Sequence, residues 1–141
     1  MADATEIVLL VEDDDNDALL AEKALRDSGA FRQVIRLAAG EVAINYLNGD
    51  PPYEDRNSYP LPALVLLDLK MPKLTGFDVL TWLQSHPRLM SEVRVVVLTG
   101  SIIPEDMKRA KELGAVGFEI KPVEFSKLVD IARKISKSPR L

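Results

Sequence analysis

The sequence predicts an α/β fold, an open five-stranded parallel sheet with helices packed on both faces. Short apolar runs alternate with longer amphipathic stretches along the whole chain. The runs start 27, 29, 30 and 22 residues apart, room each time for a crossover helix. Three of them are almost wholly apolar, as strands buried on both faces of a parallel sheet must be.

The elements follow in order. The first strand is Ile7–Val11 (IVLLV), and the amphipathic stretch Asn16–Ser28 ends at Gly29, a helix-capping residue. The second strand, Val34–Ala38, precedes a helix over Glu41–Leu47. Residues 50–62 (DPPYEDRNSYPLP) hold four prolines and two tyrosines, which predicts a surface connection. Thirteen residues is long for a structureless loop, so a partner contact is its alternative role. The third strand is Ala63–Leu67, and the helix Gly76–Ser85 uses Phe77 and Trp82 for packing. His86, just ahead of Pro87, is assigned to solvent. The fourth strand is Val93–Leu98; Pro104 suits the first turn of a helix over Glu105–Leu113, capped by Gly114. Ala115–Ile120 and Phe125–Ile135 complete five strands and five helices, and 137–141 should fray.

A chain of 141 residues has room for one domain, here 1–141. With 18 basic against 22 acidic residues it is mildly acidic, a poor stand-alone binder of nucleic acid. The absence of cysteine excludes disulfides, thiolate zinc sites and cysteine nucleophiles. A single histidine excludes a multi-histidine metal site. No basic leader and no long apolar run appear, so a cytoplasmic protein without a membrane span is expected.

Four of the apolar runs end in chemically distinctive residues. These are Glu12-Asp13, Asp68, Thr99 and Lys121-Pro122. In a parallel sheet all four lie at carboxyl ends and open on the edge where such sheets bind ligands. Three carboxylates held together repel one another and call for a cation. Hard oxygen donors without histidine or cysteine favour Mg²⁺. A lysine and a hydroxyl opposite them suit phosphate oxygens, as in phosphoryl transfer to a nucleophilic aspartate. Taken singly, each residue has an ordinary structural role. An acidic run after a strand caps helices, and Asp14, Asp15 and Asp17 fit that role. Their joint placement on four strand ends is what points to chemistry.

The stretches VLLVEDD (8–14), LVLLDLKMPKLTG (64–76), VVVLTGS (95–101) and LGAVGFEIKPV (113–123) resemble the receiver domains of two-component response regulators. The resemblance runs from about Ile7 to Ile135. It implies a doubly wound, flavodoxin-like sheet in the order 2-1-3-4-5. It also implies that Asp68 accepts a phosphoryl group from a histidine kinase. Mg²⁺ would be held by Glu12, Asp13, Asp68 and the carbonyl of Lys70, with Lys121 pairing to a phosphate oxygen. Thr99 and Phe118 would form the switch, and the bond before Pro122 would be cis. The proline-rich loop and the lack of an output domain look like the single-domain regulators of bacterial phytochrome kinases.

Lys70 and Gly100 depart from the side chains usual at their positions, and both bear on the lifetime of the phosphoryl group. Two other readings compete. A Mg²⁺-dependent aspartyl phosphatase usually carries a second aspartate two residues after the nucleophile, where this chain has Lys70. A receiver-like interaction module without phosphorylation would not need the full set of Glu12, Asp13, Asp68, Thr99 and Lys121. On a helical wheel the apolar arc of 125–135 spans about 160°, wider than one sheet requires. Ile131 and Val129 at its edges should lie partly outside the core. A homodimer through the fourth helix, fifth strand and fifth helix is therefore expected, as in the family.

Overall fold

The structure, a computed structural model, describes residues 6–100 and 103–137. Residues 138–141 of the expected frayed tail and Ser101 of the VVVLTGS stretch lie outside them.

Strands stand where the apolar runs are. They are β1 (Ile7–Val11), β2 (Gln33–Leu37), β3 (Leu64–Asp68), β4 (Arg94–Thr99) and β5 (Gly117–Ile120). All pairs are parallel, in the order β2-β1-β3-β4-β5. β1 and β3 are buried along their full length, and β4 is buried beyond Arg94. The edge strands β2 and β5 are half-exposed and carry the polar residues Gln33, Arg36 and Glu119. Register brings Val11 level with Leu67, Leu67 with Val97, and Val97 with Phe118. The residues that follow these positions therefore emerge together on one edge.

Among the described residues six helices surround the sheet: α1 (Asp15–Asp27), α2 (Gly40–Asn48), α3 (Gly76–Gln84), α4 (Pro87–Glu92), α5 (Pro104–Glu112) and α6 (Phe125–Lys137). Strand alternation divides the core in two. Val8, Leu10, Leu64, Leu66, Val96 and Leu98 pack beneath α1 and α6, against Ala21, Leu25, Leu128 and Ala132. Leu9, Val11, Val65, Leu67, Val95 and Val97 face α2, α3 and α5, against Ala43, Leu47, Val79, Leu83 and Ala110.

Several expectations need correction. α4 is a sixth helix beside the five that the sequence predicts. Pro87 starts it, but six residues with no buried side chain give no periodicity to read. α1 turns its alanines inward, while Leu19 and Leu20 are 68% and 65% exposed. His86 is half-buried: its ring stacks on Trp82 with centroids 4.0 Å apart, and its Nδ1 lies 2.8 Å from the Trp82 carbonyl oxygen.

The connection over 50–62 folds back on α2. Tyr46, Tyr53 and Tyr59 form an aromatic cluster with neighbouring centroids 5.1–6.0 Å apart. Arg56 donates to the carbonyls of Tyr46 at 2.9 Å, Leu47 at 2.7 Å and Tyr59 at 3.2 Å. Its guanidinium thus gives the Leu47 carbonyl at the end of α2 a donor and adds a second donor to the Tyr46 carbonyl, which also accepts from the Gly49 N–H at 3.2 Å. The Tyr46 hydroxyl donates to Pro60 at 2.8 Å, and burial pushes its pKa up to about 12.

Candidate functional site

The carboxyl edge of the sheet gathers the residues that end its strands. Glu12 follows β1, and its carbonyl accepts from Arg36 Nε on β2 at 2.9 Å. Arg36 also donates to Asp15 at 2.9 Å, which ties β2 to the first turn of α1. Asp14 caps α1 by accepting from the Asp17 N–H at 2.9 Å. The acidic run after β1 therefore does cap a helix, but Glu12 and Asp17 turn toward the site.

Asp68 closes β3 and is 5% exposed. Its Oδ1 accepts from the Lys70 N–H at 3.0 Å. Close approach of α3 fixes this turn: the Gly76 N–H donates to the Leu69 carbonyl at 3.1 Å. A Cβ on Gly76 would stand 2.5 Å from the Asp68 carbonyl oxygen, so only glycine fits. Thr99 ends β4 and is fully buried. Its carbonyl accepts from the Lys121 N–H at 2.8 Å, joining the ends of β4 and β5. The Lys121–Pro122 bond is cis. Phe118, three residues earlier, is half-buried against the α2–α3 side of the core.

The Lys121 ammonium is the hub. It donates to Asp68 Oδ2 at 3.2 Å, to Asp17 Oδ2 at 2.9 Å and to Glu12 Oε1. Burial alone would lower its pKa; Glu12, Asp17 and Asp68 outweigh that and hold it above the ordinary lysine range. Glu12 is 2% exposed, and burial pushes its carboxyl up to about 7, Lys121 opposing the rise and Asp68 adding to it.

Glu12, Asp13 and Asp68 each offer a carboxylate oxygen, and these lie within 4.8 Å of one another. Three hard anionic donors, two of them buried, fit a divalent cation of the Mg²⁺ or Mn²⁺ type. Lys121 supplies the positive charge this group needs while no metal is bound.

The sequence profile of the response regulator receiver domain matches residues 8–133. The chain belongs to the response regulator receiver domain family. Receiver domains similar to it include the response regulator Rcp1 from Synechocystis sp., 36% identical over 77% of this chain and 71% of Rcp1. The Mn²⁺-bound structure of Rcp1 superposes with a TM-score of 0.80, covering 96% of this chain and 99% of that one. The phosphorylated cyanobacterial phytochrome response regulator RcpA matches at 0.79 with 33% identity, covering 95% and 93%. The bacteriophytochrome response regulator RtBRR matches at 0.80 with 37% identity, covering 96% and 80%.

Within this receiver domain the structure brings Glu12, Asp13, Asp68 and Lys121 together, with Thr99 on the adjoining strand end. Lys70 and Gly100 stand exposed just past Asp68 and Thr99. Asp17 is the residue that sequence reasoning gave only a capping role. No helix among the described residues is long and apolar enough to cross a membrane.

Proposed function

We propose that this receiver domain accepts a phosphoryl group on Asp68 from a sensor histidine kinase and signals through a change at Thr99 and Phe118. The observation that carries the reading is the setting of Asp68: a nearly buried carboxylate with Lys121 Nζ at 3.2 Å and two further carboxylates within 4.8 Å. A free Asp68 oxygen lone pair forms the new O–P bond. The P–N bond to the kinase histidine breaks, and its electron pair returns to the imidazole nitrogen. Lys121 neutralises an oxygen of the transferred group. Mg²⁺ held by Glu12, Asp13, Asp68 and the Lys70 carbonyl would offset the charge that develops on the phosphoryl oxygens. The Thr99 hydroxyl then turns to a phosphoryl oxygen and Phe118 moves into the space it leaves. The phosphoryl group thus biases a two-state element through contacts made in one state only.

The relatives that are phytochrome response regulators favour a bacteriophytochrome as the kinase, and with it a cytoplasmic location. Leu20 lines the cleft that also holds Glu12, Asp17 and Lys121. The domain acts as an acceptor and not as a turnover enzyme, because Lys70 stands where an aspartyl phosphatase places its second aspartate. A homodimer through α5, β5 and α6 completes the reading. Val116 and Ile120 on that face are 59% and 43% exposed, beside half-buried Ile131.

Intact-mass spectra after incubation with acetyl phosphate and Mg²⁺ test the assignment. One phosphoryl adduct is expected on the wild type and none on Asp68→Asn. A Mg²⁺-dependent adduct at full yield on the variant moves the acceptor elsewhere. Turnover of phosphomonoesters would favour a phosphatase, and failure to bind beryllofluoride a module without phosphorylation.

A further inference from the structure

Lys121 has two kinds of carboxylate partner. Glu12 and Asp68 belong to the group of three that can hold a cation. Asp17 does not, yet its Oδ2 sits 2.9 Å from Lys121 Nζ, on the first turn of α1. The Asp17 side chain is 45% exposed, whereas those of Glu12 and Asp68 are 3% and 6% exposed. Asp17 thus holds the ammonium from the rim and the other two hold it from within.

A divalent cation entering among Glu12, Asp13 and Asp68 competes with the ammonium for two of the same carboxylates. Two like charges drawn to one buried pair repel each other, so the ammonium must give way or weaken the metal. We propose that Asp17 is a positioning residue for Lys121. It gives the ammonium a carboxylate outside the metal group, so that Glu12 and Asp68 turn to the cation while Lys121 stays beside the acceptor. The proposal rests on the phosphoacceptor reading above and adds to it a residue that touches neither metal nor phosphoryl group.

Calorimetric titration of Mg²⁺ into four proteins tests this: wild type, Asp17→Asn, Lys121→Gln and the double variant. Asp17→Asn keeps the size of the side chain on an exposed helical turn, and a thermal melt in EDTA confirms that it folds. It should weaken Mg²⁺ binding about fivefold, the scale of one partly exposed charge pair. Lys121→Gln should bind Mg²⁺ more tightly than the wild type, because the competing cation is gone. In that background the further change at Asp17 should have little effect, since its work is done through Lys121. Asp17→Glu, with a carboxylate on the same turn, should recover most of the lost affinity.

An equal loss from Asp17→Asn in both backgrounds would show a general effect of its charge and overturn the proposal. No loss in either overturns it too. If the wild type is phosphorylated with Mg²⁺ but shows no coupling between Asp17 and Lys121, the Asp17 assignment alone fails. A wild type that neither binds Mg²⁺ nor takes a phosphoryl group overturns both readings.

Discussion

Lys121 Nζ lies 3.2 Å from Asp68 Oδ2, although 53 positions separate the two residues in sequence. Glu12 and Asp68, both nearly buried, share this one ammonium. Two buried anions without a cation would be costly, so Lys121→Ala should destabilise the metal-free domain by about 3 kcal/mol. The loss should be larger at pH 8 than at pH 6, where Glu12 can relieve the repulsion by taking up a proton. Mg²⁺ should restore part of it. Urea unfolding in EDTA at the two pH values checks this, and an unchanged midpoint at pH 8 rejects it.

Glu12 sets a pH dependence of stability whose sign follows from its surroundings. Burial, opposed by Lys121 and assisted by Asp68, raises its carboxyl from 4.5 to about 7. The folded state therefore holds this proton more tightly than the unfolded chain does. Between these two values unfolding releases a proton, so stability falls as pH rises through the window. Below about pH 4.5 the contribution is fully present, and above about pH 7 it is gone. Other carboxylates titrate in acid as well, so the useful quantity is the difference from Glu12→Gln. In EDTA the wild type should lose stability relative to that variant between pH 5 and pH 8. A constant difference across the range would place the Glu12 pKa outside it.

The central strands and the placement of Glu12, Asp13, Asp68 and Thr99 could be read from the sequence for one reason. A strand buried on both faces must be apolar throughout, and the first polar residue after it marks its end. β1, β3 and β4 obey this, so their terminal residues were visible. Asp17 was not, because an aspartate in the first turn of a helix is equally well explained by the helix dipole. Only the position of Lys121, 104 residues away, shows which way Asp17 faces. Arg56 was hidden for a similar reason: its partners are backbone carbonyls, which leave no trace in composition. His86 is hidden too: it lies four residues after Trp82 but past the end of α3, where helical spacing no longer fixes a contact between the two rings.

Gly76 links packing to chemistry. A methyl group there would sit 2.5 Å from the Asp68 carbonyl oxygen and 2.7 Å from the Leu69 Cα, both backbone atoms that cannot swing away. Gly76→Ala should cost about 2 kcal/mol as an overpacked contact. It should also slow phosphoryl uptake from acetyl phosphate, because the displaced backbone carries Asp68, the proposed nucleophile. Thermal unfolding and adduct formation over time measure the two effects. Wild-type uptake by a destabilised variant would separate Gly76 from the acceptor.

Arg56 should affect stability alone. It binds three carbonyls at the end of α2 and in the loop, none of them on a residue of the site. Hydrogen bonds from a charged donor to these backbone carbonyls suggest a loss of about 2 kcal/mol on Arg56→Ala. Protease cleavage within 50–62 should rise while the yield of phosphoryl adduct stays unchanged. A variant with wild-type stability would show that the tyrosine cluster holds the loop without the guanidinium.

The proposed dimer face offers the last test. Val116 projects from the turn before β5 and is 59% exposed, and Ile120 near the strand end is 43% exposed. A shallow hollow beside them is lined by Val96, Val116, Ile131 and Ile135. Ile131 and Val129, the edges of the broad apolar arc of α6, are both half-buried. A two-fold pair uses one patch twice, so a single charge introduced there acts at two places. Ile131→Glu should therefore shift the protein toward monomer. Because Ile131 also packs against the α1–α6 side of the core, Val116→Glu serves as the companion variant. Val116 is exposed enough to accept the charge without loss of folding. Sedimentation velocity at about 100 μM, well above the Kd expected of a working homodimer, should show a dimeric wild type and monomeric variants. A monomeric wild type, or dimers that persist in both variants, rejects this face.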